Sequence, residues 1–333
     1  MDILENNFEI QNLLFEEIQK NISSQYLLVD VVSDILETGR DSAYRRIRGE
    51  KQLSIKETYM LCKHFHISFD TLMGNKALHS FDCLYHPINL SVPDEYNRYM
   101  HALLKNIQQV KNASKPSIHL SASDIPIFHL ITQTELTFFK LYTWTQSVYD
   151  YNNTLDNFMK GVDTPDLTRL YDQISSNYEL IPSAEIWTEN TIMSTLNLIH
   201  YYVEIGSFSS RDLPLLLCEQ VLLILDKLQK WTERGEKGKH STPFKFYISE
   251  MELENTYILM KRSGINNCVV KLFTINSLNI SDKEFCRETE NWLTKLSERS
   301  AMLCGNMEKE RFKYFNTQRQ KVRILMDKIH DLF

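Results

Sequence analysis

Between residues 40 and 56 the chain carries Arg40, Arg45, Arg46, Arg48, Lys51 and Lys56 against only Asp41 and Glu50. That balance of +4 sits in a chain whose formal net charge is −6, so the remainder carries −10. A small basic cluster in an acidic protein points to one directed contact with a polyanion, since general adhesion needs positive charge spread over the surface. Guanidinium groups suit that contact: their planar fork of donors meets a phosphate or a guanine edge through two parallel hydrogen bonds. On a helix starting near Asp41, residues Ser42, Arg45 and Arg46 share one face at i, i+3 and i+4. Tyr44 and Ile47 share another face and are expected to pack on Val31, Ile35, Leu61 and Phe65. Arg40 precedes this helix, and Arg48 and Lys51 lie at its end and in the following loop, where phosphate contacts are usual.

Such a helix needs a frame. Ile10, Leu13, Leu14 and Ile18 recur at helical spacing within residues 8–20, as do Leu28, Val31, Val32, Ile35 and Leu36 within residues 26–36. Thr38-Gly39 breaks the second pattern. Asp41 and Ser42 are N-cap candidates for the basic helix, and Gly49 is its expected left-handed stop. Ser54-x-x-Glu57 is a capping box. Its helix is expected to run to about Phe65, and Ser68 to cap a last short helix over Phe69 to Met73. The layout is five helices in one small domain.

Ser42-Ala-Tyr-Arg-Arg-Ile resembles the reading helix of the lambda-repressor-like helix-turn-helix family. Leu53-Ser-x-x-Glu57 and Leu61-Cys-Lys-His-Phe-His-Ile-Ser-Phe-Asp-Thr-Leu72 resemble its fourth and fifth helices. The segment Val29 to Glu37 departs from the family pattern: it lacks the usual Leu-Ala pair, carries Ser33 as its small residue, and leads into a turn one residue out of step. The whole chain also resembles two-domain regulators of gut-type anaerobic bacteria with the same Ser-Ala-Tyr-Arg-Arg-Ile-Arg-Gly core. The resemblance implies a bacterial transcription regulator that binds double-stranded DNA. It assigns base or phosphate contacts to Ser42, Arg45 and Arg46, and phosphates to Arg48 and Lys51. Arg40, Asp41 and Tyr44 complete the expected DNA-binding set.

Residues 1–76 are thus expected to form the DNA-binding domain, 77–94 a linker, and 95–333 a regulatory or dimerisation domain. In the last, helices are expected over residues 94–112, from Ile127 to about Tyr151, and over Ile186 to Tyr202, Leu213 to Trp231, Ser281 to Gly305 and Lys309 to Phe333. Strands are expected at Ser117–Ser121, Phe244 to Glu250, Tyr257 to Met260 and Val269 to Ile275. Only nine glycines occur in 333 residues, too few for glycine-rich phosphate turns. The expected fold class is mainly α, with a small antiparallel β element in the larger domain.

Other chemistry finds less support. Cys62, His66, Cys83 and His86 have ligand-type side chains, but the spacing matches no named zinc module and Cys62 falls at a core position. No metal or cofactor is expected. The aromatic residues Phe138, Phe139, Tyr142 and Trp144 could line an effector pocket, although aromatic stripes at helical spacing are more often core. The basic segment Lys309 to Lys328, with Phe315, Val322 and Ile329 seven apart, could dock on its own domain, pair two protomers or extend a DNA footprint. No GxxxxGK[ST], HExxH, GxSxG or GxGxxG occurs, so no enzyme is expected. No run reaches the ~20 apolar residues of a membrane span, no signal-peptide pattern opens the chain, and the six cysteines show no paired spacing. A cytoplasmic homodimer follows, with an unspecified small-molecule or protein effector. The competing reading is a protein-interaction module whose helix-turn-helix-like domain no longer binds DNA.

Overall fold

The computed structural model of the chain describes residues 3–22, 27–65, 67, 69, 83–86, 88, 94–149, 153–162, 165–262, 266–272 and 276–333. It divides into two compact units, Met1–Asp82 and Cys83–Phe333.

The first unit contains α1 (Ile3–Asn21), α2 (Leu28–Ile35), α3 (Arg40–Ile47) and α4 (Ile55–Phe65). Each helix contributes buried side chains to one core: Leu14, Phe15 and Ile18 from α1, Val32 from α2, Ala43 from α3 and Leu61 from α4. Of the expected fifth helix, Phe69 to Met73, only Phe69 is among the described residues, and most of the expected linker lies outside them. Four residues join α2 to α3. Ser33 Oγ donates to the Thr38 carbonyl at 2.6 Å, and the Thr38 amide donates back to the Ser33 carbonyl at 3.0 Å. Glu37 takes a left-handed φ of +50° in this turn. The basic helix starts one residue early: Gly39 is its N-cap, with no side-chain cap bond. Asp41 and Ser42, expected as caps, lie inside the first turn, where the acid still complements the helix dipole.

The second unit corrects the expected fold class. It is built on a nine-stranded mixed sheet, not a small antiparallel element. Its strands are β1 (Cys83–His86), β2 (Ser117–Ser121), β3 (Ser183–Thr188), β4 (Glu236–Lys237), β5 (Thr242–Ser249), β6 (Tyr257–Lys261), β7 (Asn267–Lys271), β8 (Ser277–Ile280) and β9 (Ala301–Met302). They run in the order β1-β8-β7-β6-β2-β3-β5-β4, with β9 pairing β5. The central trio β2, β3 and β5 is parallel, with Ile118 opposite Ser183 and Ser183 opposite Phe244. Parallel neighbours need long crossovers, and helices supply them. Between β2 and β3 lie α6 (Ile127–Leu130), α7 (Thr134–Val148), α8 (Leu155–Val162) and α9 (Pro165–Glu179); between β3 and β5 lie α10 (Met193–Glu204) and α11 (Asp212–Arg234). Scarce glycine excludes glycine-rich phosphate turns; it does not exclude parallel strands.

α5 (Glu95–Lys111) precedes β2, and α12 (Lys283–Glu298) and α13 (Glu308–Leu332) follow β8. The larger core gathers α5 to α11 and α13 against the sheet. A smaller core on α12 joins Leu293 and Leu296 to Ile186, Leu259, Cys268 and Ile280. Helices therefore cover both faces, an α/β architecture. The segment from Ile186, expected to begin a helix, is the second half of β3 up to Thr188, and α10 starts only at Met193.

Candidate functional site

The register of α3 decides which basic residues face outward. Ala43 and Arg46 point into the core, and Arg46 retains only 5% exposure. Its guanidinium donates to Glu57 Oε1 at 2.6 Å, to Ser42 Oγ at 2.5 Å and to the Ser42 carbonyl at 3.0 Å. The face expected from Ser42, Arg45 and Arg46 is therefore split: Arg45 is outside, while Arg46 and its partner Ser42 are engaged within the unit. Tyr44, expected in the core, is 47% exposed, and Ala43 takes the inward position. The outward face is Asp41, Tyr44, Arg45 and Arg48, at i, i+3, i+4 and i+7, flanked by exposed Arg40 and Lys51.

Those outward charges are lightly held. Arg40 pairs with Asp30 at 3.0 Å, and Arg45 and Arg48 approach Glu50 at 3.7 and 3.8 Å. Exposed pairs of this kind contribute ~0–1 kcal/mol and exchange readily for another anion. Arg48 also lies over the Tyr44 ring, 4.4 Å from its centroid, and donates to Tyr44 Oη at 3.2 Å. Stacking gives that guanidinium a preferred direction.

The frame behind α3 is tightly bonded. Gly49 adopts φ +76°, the left-handed stop expected of it. The Gln11 side chain donates to the Arg46 carbonyl at 2.6 Å and the Lys51 carbonyl at 2.9 Å, and accepts from the Leu53 amide at 2.9 Å. The capping box forms: Ser54 N donates to Glu57 Oε2 at 2.8 Å, and Glu57 N to Ser54 Oγ at 3.2 Å. Burial alone would raise the Glu57 carboxyl, but bonds from Arg46 and Ser54 hold it below its ordinary value.

The remaining candidates resolve into packing. Phe138, Phe139, Tyr142 and Trp144 are all buried in the larger core. α13 buries Tyr314, Phe315, Val322 and Ile329 within the second unit, and its Arg319 pairs with Asp226 of α11 at 2.7 Å. Cys62 packs against the first core. His66 and the His86 side chain lie outside the described residues, and among the described residues no group of three or more His, Cys, Asp or Glu could hold a metal.

Two buried polar clusters in the second unit have no signal in the sequence. In one, fully buried Glu185 accepts from His129 Nε2 at 2.8 Å, Trp187 Nε1 at 2.8 Å and Tyr178 Oη at 2.5 Å. Buried Lys237 lies 3.3 Å from the Tyr178 ring centroid and donates to Ser183 Oγ at 2.6 Å. This cluster crosslinks α6, α9 and β3 inside the core. In the other, Asp124 after β2 accepts from Lys140 Nζ at 2.7 and 2.5 Å, Thr195 Oγ1 at 3.0 Å, the Ile125 amide at 2.8 Å and Lys271 Nζ at 3.3 Å. Burial opposes ionisation of Asp124, but the two ammonium groups and the bonds from Lys140 and Ile125 hold its carboxyl well below the usual carboxylate range. Lys140 and Lys271 stand 16 and 147 residues from Asp124 in the chain, so no spacing could reveal them.

Among the described residues no helix is long and apolar enough to cross a membrane. No protein-family model, no curated protein and no solved structure matches the chain.

Proposed function

We propose that this chain is a sequence-specific DNA-binding transcription regulator of the bacterial cytoplasm, acting as a homodimer, with α3 in the major groove. The observation that supports this reading is the outward face of α3. It presents Asp41, Tyr44, Arg45 and Arg48 at one helical spacing, with Arg40 and Lys51 beside it, in a chain that is acidic elsewhere. A groove contact needs donors that reach base edges and cations that meet phosphates on either side. Arg45 and Arg48 carry the base or phosphate contacts; Arg40 and Lys51 contact phosphates. Arg46 holds the helix in place. The second unit senses a signal, dimerises, or both.

The test is selection of bound fragments from sheared genomic DNA at two salt concentrations, with wild type and the double variant Arg45→Ala/Arg48→Ala. The expected result is enrichment of a two-fold symmetric site with half-sites about one helical turn apart, weakened by salt and lost in the variant. Absence of any enrichment at low salt would overturn the reading.

A second reading, a protein-interaction module, draws on α4, where Ile55 is 90% and Tyr59 61% exposed at i and i+4. An apolar pair of that kind suits a protein surface. Salt separates the two: phosphate contacts release counterions and affinity falls steeply as salt rises, whereas an apolar interface responds weakly.

A further inference from the structure

Two cavities of the second unit meet at one pair of lysines. The larger, about 390 Å³, is polar: Ser123, Ser194, Asn255 and Thr256 line it together with Asp124, Lys140 and Lys271. The smaller, about 60 Å³, is mainly apolar, with Tyr96, Tyr99, Ile125, Leu141 and Val269 among its walls. Lys140, Thr256 and Lys271 border both.

The two lysines at this junction are unequally bonded. Asp124 is the buried carboxylate of this lining, and it accepts from both Lys140 and Lys271. Lys140, 2% exposed, directs its ammonium at both oxygens of that acid. Lys271 contributes a single long bond at 3.3 Å and stays partly exposed, so its other hydrogens are directed away from Asp124. Glu254, exposed on the wall of the larger cavity, is the other acid there. The Lys271 ammonium, 3.3 Å from an acid that Lys140 already holds at both oxygens, is thus the less satisfied of the two cations and keeps donors for an incoming anion. The recess lies at the carboxyl ends of β2 and β7, beside the first turn of α10, which carries Ser194 and Thr195. That edge is where open sheets with parallel strands hold ligands.

We infer that this junction binds a small organic carboxylate with a short apolar body. Its carboxylate meets Lys271, with Ser123 and Thr256 as neighbouring hydrogen-bonding groups. Its apolar part fills the arm between Tyr99, Leu141 and Val269. A bare inorganic anion leaves that arm unused, and an alcohol brings no charge to the remaining donors of Lys271; both bind less well. This binding goes beyond the DNA reading and stands without it.

The experiment is isothermal titration calorimetry on the full chain with butyrate, hexanoate, octanoate and 4-phenylbutyrate, and with hexan-1-ol and inorganic phosphate as controls. The expected result is that at least one carboxylate binds about tenfold or more tightly than either control, and that Lys271→Met weakens it about tenfold. Val269→Phe, which fills the apolar arm and leaves both lysines in place, should remove the preference over phosphate. No heat from any carboxylate at millimolar concentration would overturn the inference. So would phosphate binding as tightly as the best carboxylate, or a correctly folded Lys271→Met that binds like wild type. DNA selection reads none of these quantities, so failure here is distinguishable from failure of the regulator reading.

Discussion

Glu57 serves two partners at once: Oε1 accepts from the Arg46 guanidinium at 2.6 Å while Oε2 accepts from the Ser54 amide at 2.8 Å. The start of α4 and the inward face of α3 are therefore tied to one carboxylate. One of the two arginines expected to meet bases or phosphates is instead the one that positions its neighbours.

Removing it should cost stability and leave the recognition face chemically intact. Arg46→Ala strips Glu57 of its partner and frees Ser42. Because Glu57 is partly exposed, the expected loss is about 2–3 kcal/mol, below the upper range for a broken buried pair. All four tryptophans (144, 187, 231 and 292) lie in Cys83–Phe333. Amide exchange in α3 and α4 should accelerate, and the tryptophan-detected unfolding transition should stay where it is. Unchanged exchange would show that the pair holds nothing.

Arg45→Ala and Arg48→Ala should behave in the opposite way. Their side chains are exposed and weakly paired, so stability should change by less than about 0.5 kcal/mol. For each one that meets a phosphate, the slope of log affinity against log salt on the selected DNA should fall by about 0.9. If each variant keeps the wild-type slope, neither arginine contacts the backbone.

Glu37 offers a stabilising change. Its φ of +50° places a side-chain-bearing residue in the left-handed region, which costs about 1–2 kcal/mol for an L-residue. Glycine accepts that conformation, although it gains more freedom in the unfolded chain. Glu37→Gly should raise the stability of the first unit by about 0.5–1 kcal/mol, read as slower amide exchange in α2 and α3. A faster exchange would contradict it.

His119 should make the second unit sensitive to acid. Burial, reinforced by the Lys261 charge and opposed by Glu290, lowers its pKa from 6.5 to about 4. The folded state therefore takes up its proton later than the unfolded chain does. Stability from this residue is intact above about pH 6.5, declines as pH falls, and levels off below about pH 4. The full difference is about 3 kcal/mol. His119→Gln, which can still bond Ser297, should flatten the fall between those limits in tryptophan-detected denaturation. An equally steep fall in the variant would assign the acid sensitivity to another group.

The sequence made the first unit legible because its signals are local. Ser54 and Glu57 sit three apart and cap each other; Gly49 marks a stop and provides one. The register of α3 was harder, since Arg45 and Arg46 have the same chemistry and only packing decides which turns inward. In the second unit, β3 escaped recognition because a central strand buried on both faces has no alternation to display. Its Glu185 is a charged residue that looks solvent-facing until His129, Tyr178 and Trp187 surround it. Strands β2, β5 and β7 are visible through alternating apolar and polar residues, but alternation says nothing about which neighbour is parallel.

Gln11 gives this arrangement an evolutionary reading. It fixes the backbone of Arg46, Lys51 and Leu53 through an amide on a separate helix. Residues Asp41, Tyr44, Arg45 and Arg48 contribute no buried side chain to that anchoring. A lineage can therefore rewrite those outward letters one at a time while the scaffold beneath keeps its shape. Divergence among descendants should concentrate at 41, 44, 45 and 48 and spare 11, 46 and 57.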